Sequence, residues 1–396
     1  MGAPTERGRQ RRTGGRRLGG AVSAGRVGGA VGMAALAGLA WAVRDVPLAL
    51  GGRLAGARAE RARHSPQFRA GAFRNPASSR PAASPATGST DRNLLRELLF
   101  GKQQRHPRLP VPLVRPAPTA PESSPHSPEL NVVWYGHAST LVEIEARRVL
   151  IDPVWSHRCS PSTRVGPRRL HPPPVGLDEL PAVDAILISH DHYDHLDLAT
   201  VQGLTAKQDA PFVVPLGIGA HLQRWGVPEH RIVELDWSES HDVTGLRLTA
   251  TPAQHFSGRG LRRDATLWSS WVIAGAHRSV FYTGDSGYFA GYAAIGAGYG
   301  PFDVTLMQIG AYDRAWQDIH MFPEEAVAAH LDLRGGLLVP VHWATFNLAV
   351  HDWSEPVNRL WAETKARDVR LAVPRPGQRV VVDDPPPVDG WWQAVA

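Results

Sequence analysis

The sequence predicts an α/β (α+β) fold, and three observations carry that reading. From residue 129 onward, short runs rich in Val, Ile and Leu alternate with short helical stretches. Several of the apolar runs end on or just before a histidine or an aspartate, as strands do when they deliver side chains to a common edge. A hydrophobic share of 43% over 396 residues is ample for a core, in one large domain or two ordinary ones.

Each element follows from its own pattern. Strands are expected over 131–134, 140–144 and 148–151, the latter two joined as a hairpin at Glu145-Ala146-Arg147. The run 185–188 reads as a buried strand, and 212–215 and 232–235 as further short ones. Residues 246–251 alternate and deliver the chain to Pro252-Ala253-Gln254-His255. Strands over 267–273 and 279–282 follow, the second ending in Thr283-Gly284-Asp285-Ser286-Gly287. A strand over 304–309 precedes a helix over 323–333, which starts at Pro323 and carries Glu324 and Glu325 where the helix dipole favours acid. The strand 337–341 runs straight into His342-Trp343, and a closing helix over 354–368 takes Ser354 as its N-cap.

The first 128 residues have a different texture. Residues 1–80 hold fifteen Arg against Glu6, Asp45 and Glu60, a net of +12, whereas the rest of the chain is net −6. The basic character belongs to a leader and not to the working body, which disfavours a nucleic-acid partner. Residues 27–43 carry no charge and follow an Arg-rich stretch, the layout of an export signal or a short anchor, so membrane association is expected with its side left open. As a helix that run would be about 26 Å long, marginal for a bilayer. The competing reading is a disordered extension. Two islands in the Pro/Ala/Ser-rich part look structured: 65–76, and 93–100, where Leu94, Leu95, Leu98 and Leu99 share a helix face. The organisation expected is a leader over 1–64, an extension over 65–128 and a catalytic domain over 129–385. The single Cys159 rules out an intramolecular disulfide framework and a cysteine-based zinc site.

The chemistry gathers at His190-Asp191-His192-Tyr193-Asp194-His195. Four metal-ligand side chains in the pattern His-x-His-x-Asp-His follow a buried strand. On extended chain His190 and His192 point the same way, while Asp194 and His195 face a second position as the chain turns. Imidazole and carboxylate without thiolate suit zinc or a similar divalent ion such as Fe or Mn. The assignment is His190, His192 and His255 on one ion, Asp194, His195 and His342 on another, and Asp285 bridging both. Two such ions lower the pKa of a shared water, so hydroxide is available as nucleophile near neutral pH. His137 is read either as lining the pocket or as a structural turn, and Asp152 as a group that orients a ligand histidine. His330 is read as a core or surface residue. His106, His126, His157, His171, His221, His230, His241, His277 and His351 are read as surface or loop residues.

With these motifs the chain resembles the metallo-β-lactamase superfamily of dinuclear zinc hydrolases. Residues from about 68 to 373 resemble its N-acyl-phosphatidylethanolamine-hydrolysing phospholipase D group and bacterial relatives. Trp134-Tyr135-Gly136-His137-Ala138, Asp152-Pro153-Val154-Trp155, Gly166-Pro167-Arg168-Arg169 and Glu234-Leu235-Asp236-Trp237 carry the likeness. So do Gly284-Asp285-Ser286-Gly287-Tyr288, Gly300-Pro301-Phe302-Asp303, Ile309-Gly310-Ala311-Tyr312, Pro323-Glu324-Glu325-Ala326 and His342-Trp343-Ala344-Thr345-Phe346. The resemblance implies a four-layer αββα sandwich, two zinc ions on the seven ligands above, and phospholipid contacts at Tyr193 and His320. His320, Asp194 and Asp285 are the expected catalytic groups. Ile319 departs from the polar residue expected beside His320.

The expected function is a phospholipase D-type phosphodiesterase acting at a membrane surface, with a homodimer compatible with it. The alternative is a metal-dependent lactonase or small-ester hydrolase using the same site. A non-enzymatic lipid-binding scaffold is a third reading, opposed by the complete ligand set. β-Lactamase activity is disfavoured, because the position of Asp285 is commonly Cys in those enzymes.

Overall fold

Two seven-stranded sheets lie at the centre of the computed structural model, which describes residues 2, 41, 44–76, 97, 101–116, 129–260 and 262–396. The span from Arg44 to Ala396 is one unit. The apolar run 27–43, apart from Trp41, and the helix expected over 93–100, apart from Glu97, fall outside the described residues. Among the described residues no helix is long and apolar enough to cross a membrane.

A short hairpin, β1 (Phe68–Arg69) and β2 (Ala72–Phe73), comes first. One large sheet then takes β3 (Leu130–Gly136), β4 (Ser139–Ile144), β5 (Arg147–Ile151), β6 (Ala185–Leu187), β7 (Phe212–Pro215) and β8 (Ile232–Leu235). The other takes β9 (Ser240–Val243), β10 (Leu246–Thr251), β11 (Ser270–Ala274), β12 (Ser279–Tyr282), β13 (Phe302–Gln308), β14 (Gly335–Val341) and β15 (Arg370–Leu371). A last strand, β16 (Arg379–Val381), returns to the first sheet beside β3. The orders are β16-β3-β4-β5-β6-β7-β8 and β15-β14-β13-β12-β11-β10-β9.

Alternation assembles the layers. In β3, Val132 and Trp134 join the core between the sheets, while Val133 and Tyr135 face the opposite way into a second cluster with Leu204 and Leu222. That second cluster is covered by the helices Leu198–Lys207 and Gly219–Arg224. Helices Gly291–Tyr299, Pro323–Asp332 and Glu355–Ala366 bury Ile295, Val327 and Leu360 on the other sheet. The result is the αββα sandwich. Strands buried on both faces read as continuous apolar runs, which is why β3 is buried throughout.

The expected strands fall on observed ones with ends shifted by a few residues, and the hairpin turns at Glu145 and Ala146, both at positive φ (50° and 63°). The longest shift is at β11, whose ladder starts at Ser270 and not at 267. Ser354 does not cap its helix. Its backbone is helical (φ −103°, ψ −4°), unlike the extended backbone of a capping residue, and its side chain makes no cap bond. In the helix Pro323–Asp332 the first turn is closed by the Glu325 carboxylate, which accepts from the Phe322 N–H at 3.0 Å.

One directional fact positions everything that follows. Strands β5 to β8 are parallel, as are β12 to β15; β3 and β10 each run the same way as the parallel strands of their own sheet. The C-terminal ends of β3, β5, β6, β10, β12 and β14 are followed by His137, Asp152, His190, His255, Asp285 and His342.

Candidate metal centre

The backbone bends sharply where these side chains are delivered. His137, Asp152 and His342 all have positive φ (52°, 41° and 63°), a region that non-glycine residues rarely occupy. Such bends persist where surrounding bonds over-determine them. The His137 N–H donates to Thr345 Oγ1 at 2.6 Å, its carbonyl accepts from Trp134 Nε1 at 2.7 Å, and the same carbonyl accepts from the His342 N–H at 2.9 Å. Gly310 lies so close to the His342 carbonyl that a Cβ there would sit 2.1 Å from its oxygen.

Two four-residue groups of ligand atoms result, His190, His192, His255 and Asp285, and His137, Asp194, His195 and His342, with a third group of Asp285, His320 and His342 joining them. In the first, His190 Nε2 lies 2.8 Å from His192 Nδ1, which lies 3.2 Å from His255 Nε2. Asp285 Oδ2 is 3.8 Å from both His190 Nε2 and His255 Nε2. In the second, Asp194 Oδ2 is 3.5 Å from His195 Nε2 and 3.1 Å from His342 Nε2. Asp285 Oδ2 lies 3.2 Å from His195 Nε2 and 3.1 Å from His342 Nε2. His137 joins the second group, its Nε2 donating to Asp194 Oδ2 at 2.9 Å. His320 stands at the partly exposed side, its Nε2 3.9 Å from Asp285 Oδ2.

The outer nitrogens of the His190, His195 and His255 rings are held by other groups, which fixes which nitrogen faces inward, whereas Nδ1 of His342 is buried with no hydrogen-bond partner. His195 Nδ1 donates to Asp152 Oδ2 at 2.7 Å, and His255 Nδ1 donates to the Ile319 carbonyl at 2.9 Å. His190 Nδ1 lies 3.0 Å from Ser189 Oγ, which itself donates to Asp152. The Tyr282 hydroxyl also donates to Asp152, and the Ser189 N–H reaches its other oxygen at 2.7 Å.

These residues fit a pair of divalent ions. Nitrogens about 3 Å apart approach the edge of a tetrahedron whose centre-to-nitrogen distance is about 2.0–2.1 Å. His195 Nε2 and Asp285 Oδ1 are buried with no protein hydrogen-bond partner, as atoms reserved for a cation are. Electrostatics agree. Burial holds the His190 and His255 imidazoles well below their ordinary range, and lowers His137 to about 3 and His320 to about 4. Burial opposes ionisation of Asp194 and Asp285, yet the surrounding imidazoles, His195 foremost, keep both carboxyls well below the carboxylate range. Burial also opposes protonation of His195 and His342, but Asp285 and Asp194 override it and push His342 up to about 9. Buried carboxylates thus draw positive charge to the centre, a demand that a divalent ion meets in place of protons.

All seven sequence-derived ligand residues come together here, with His320 beside them. Tyr193 is half-buried next to them, its hydroxyl donating to the Arg259 carbonyl at 2.6 Å and its ring under the Arg259 guanidinium at 4.0 Å. His137 lines the centre, and Asp152 orients His195. Of the histidines read as surface or loop residues, His171 is in a loop but buried, against Thr345 Oγ1 at 3.0 Å. His221 departs from the reading, being buried on the helix Gly219–Arg224, 3.4 Å from Asp191. His330 is buried against Thr305 Oγ1 at 2.7 Å. The parts sequence reasoning missed are Tyr282, Ser189 and Asn75. Ser189 adjoins the motif, but nothing local marks the other two.

A cluster of strand-end imidazoles and carboxylates at one edge of an αββα sandwich defines a metal-dependent hydrolase. Residues 147–343 match the family described as beta-lactamase superfamily domain, and the chain belongs to that superfamily. An uncharacterized protein of Mycobacterium tuberculosis is 51% identical over 375 residues, covering 92% of this chain and 98% of its own length. The N-acyl-phosphatidylethanolamine-hydrolyzing phospholipase D 1 of Caenorhabditis elegans is 35% identical over 252 residues, 60% of this chain and 71% of its own. A metal-dependent hydrolase of Pyrobaculum aerophilum is 30% identical over 249 residues, 63% of this chain and 98% of its own.

Proposed function

We propose that this chain is a phospholipase D-type phosphodiesterase, acting on N-acyl-phosphatidylethanolamine-like phospholipids with two zinc ions. The observation that carries the reaction class is a ligand set in which Asp285 reaches both groups of imidazoles. The relationship to the Caenorhabditis elegans enzyme supports the substrate class.

His190, His192 and His255 would hold one ion, Asp194, His195 and His342 the other, with Asp285 between them. Ions so held supply Lewis acidity to a phosphoryl oxygen and lower the pKa of water. Asp152 keeps the His195 ring in one orientation, and Ile319 does the same for His255 through its carbonyl. His320, neutral because it is buried, presents a ring nitrogen near Asp285 where a phosphate oxygen or leaving oxygen would lie. Tyr193 would line the substrate side in this reading, held there by its hydroxyl bond to the Arg259 carbonyl and by the Arg259 guanidinium over its ring.

The surroundings suit a lipid. Phe256 packs against His192 with ring centroids 4.4 Å apart, and the Arg263 guanidinium lies 4.1 Å over the Phe256 ring. Leu48 and Leu50, each 40% exposed, flank Ala49, whose carbonyl accepts from Arg259. A cation and exposed apolar side chains close to the centre match an anionic, interfacial substrate, and a membrane surface is the partner in this reading.

The test is product analysis with zinc-loaded protein and N-acyl-phosphatidylethanolamine. A phosphatidate-type product and an N-acylethanolamine should both be released, and His192→Ala should abolish both. Lactone or small-ester turnover with no phosphodiester turnover would sink the proposal.

A further inference from the structure

The segment 44–76 lies outside the matched region 147–343, yet it is tied to the loop that carries His255. We infer that Asn75 is a positioning residue for the metal centre, holding the backbone of His255 so that its Nε2 faces the three-histidine position; this rests on the two-ion reading above.

His255 sits in irregular chain between β10 and β11, where no ladder serves its backbone. The Asn75 amide serves it instead. Asn75 Nδ2 donates to the His255 carbonyl at 2.8 Å, and the His255 N–H donates to Asn75 Oδ1 at 2.9 Å. One side chain thus closes the pair of bonds that a neighbouring strand would make. Trp268 Nε1 donates to the same Oδ1 at 3.1 Å and fixes the amide's orientation. From the other side, the Ile319 carbonyl holds the ring at 2.9 Å. Backbone and ring are therefore fixed by groups 180 and 64 residues away.

Asn75 is itself anchored. The Phe73 N–H donates to the Asp264 carbonyl at 2.9 Å, and the Phe73 ring is buried with Trp237, Leu267 and Trp268. No other residue of the segment bonds to a predicted ligand among the hydrogen bonds of the described residues. Arg58, by contrast, pairs with Glu229 at 2.7 Å and Glu234 at 2.8 Å and bonds to no ligand residue.

The experiment is a cobalt(II) titration of the full chain after metal removal, with visible absorption reporting each bound equivalent. Asn75→Ala should weaken the equivalent at His190, His192 and His255 by about 10–100-fold, as loss of an orienting partner does, and leave the other unchanged. Asn75→Asp, which keeps the acceptor for the His255 N–H, should fall between. Arg58→Ala should lower the melting temperature without moving either equivalent. Wild-type affinity in Asn75→Ala, equal loss of both equivalents, or an equal loss in Arg58→Ala would overturn the inference. A wild-type protein that binds one equivalent would overturn the two-ion reading, while the effect of Asn75 on the three-histidine position would still be read.

Discussion

The two ligand groups are built by different means. At the His195 position the orienting groups are side chains of the sandwich itself. Asp152, fully buried, takes bonds from His195, Ser189 and Tyr282, which come from the ends of β6 and β12 and from the loop between β6 and the next helix. At the His255 position the orienting groups are a backbone carbonyl and an amide borrowed from the chain before the sandwich. The first arrangement is local to the core and rigid with it. The second depends on loops being laid down in register. The half with His192 partly exposed is therefore the half that the rest of the chain can adjust.

Substitutions can break this comparison, and the largest effect belongs to the residue common to both halves. Asp285→Ala removes a buried charge at the centre, an event that costs about 3–5 kcal/mol. On the proposed two-ion reading, isothermal titration should show both equivalents weakened by roughly 10²–10⁴-fold; loss at one position alone would refute the shared role. Next comes Asp152→Asn, which should weaken the His195 position most, by about 10–100-fold, and the three-histidine position less, through Ser189 and His190.

A histidine outside both halves sharpens the contrast. His330 is buried, and burial lowers its pKa to about 4 from an ordinary 6.5, with no carboxylate to reverse the shift. The folded state therefore binds fewer protons than the unfolded one between those values. The stability associated with neutral His330 is fully present above pH 6.5 and is lost as pH falls towards 4, by about 3 kcal/mol at most. Urea denaturation against pH should show that slope reduced in His330→Gln; an unchanged slope would refute the assignment.

What was legible in the sequence follows the same division. Strands buried on both faces announced themselves as apolar runs, and ligands at their ends were conspicuous because histidine and aspartate seldom follow such runs by chance. Strand β9, Ser240–Val243, was missed because it is a polar edge whose side chains are largely exposed. The helix Gly291–Tyr299 escaped because its Gly and Ala residues give no sharp apolar stripe. Ser354 looked like a cap by residue type, but capping is a matter of backbone angles that type alone does not fix. The bond between Asn75 and His255 joins positions 180 apart, and no local pattern encodes it. Asp152 was readable because it directly follows β5.

The left-handed turns at His137, Asp152 and His342 have a consequence for anyone wishing to rebuild this chemistry elsewhere. Copying the seven ligands together with His137 and Asp152 onto a regular scaffold would aim three of those groups along the wrong vectors. A transplant has to carry the kinked peptide units and the contacts that hold them, so the smallest portable piece is a set of corners and not a list of residues.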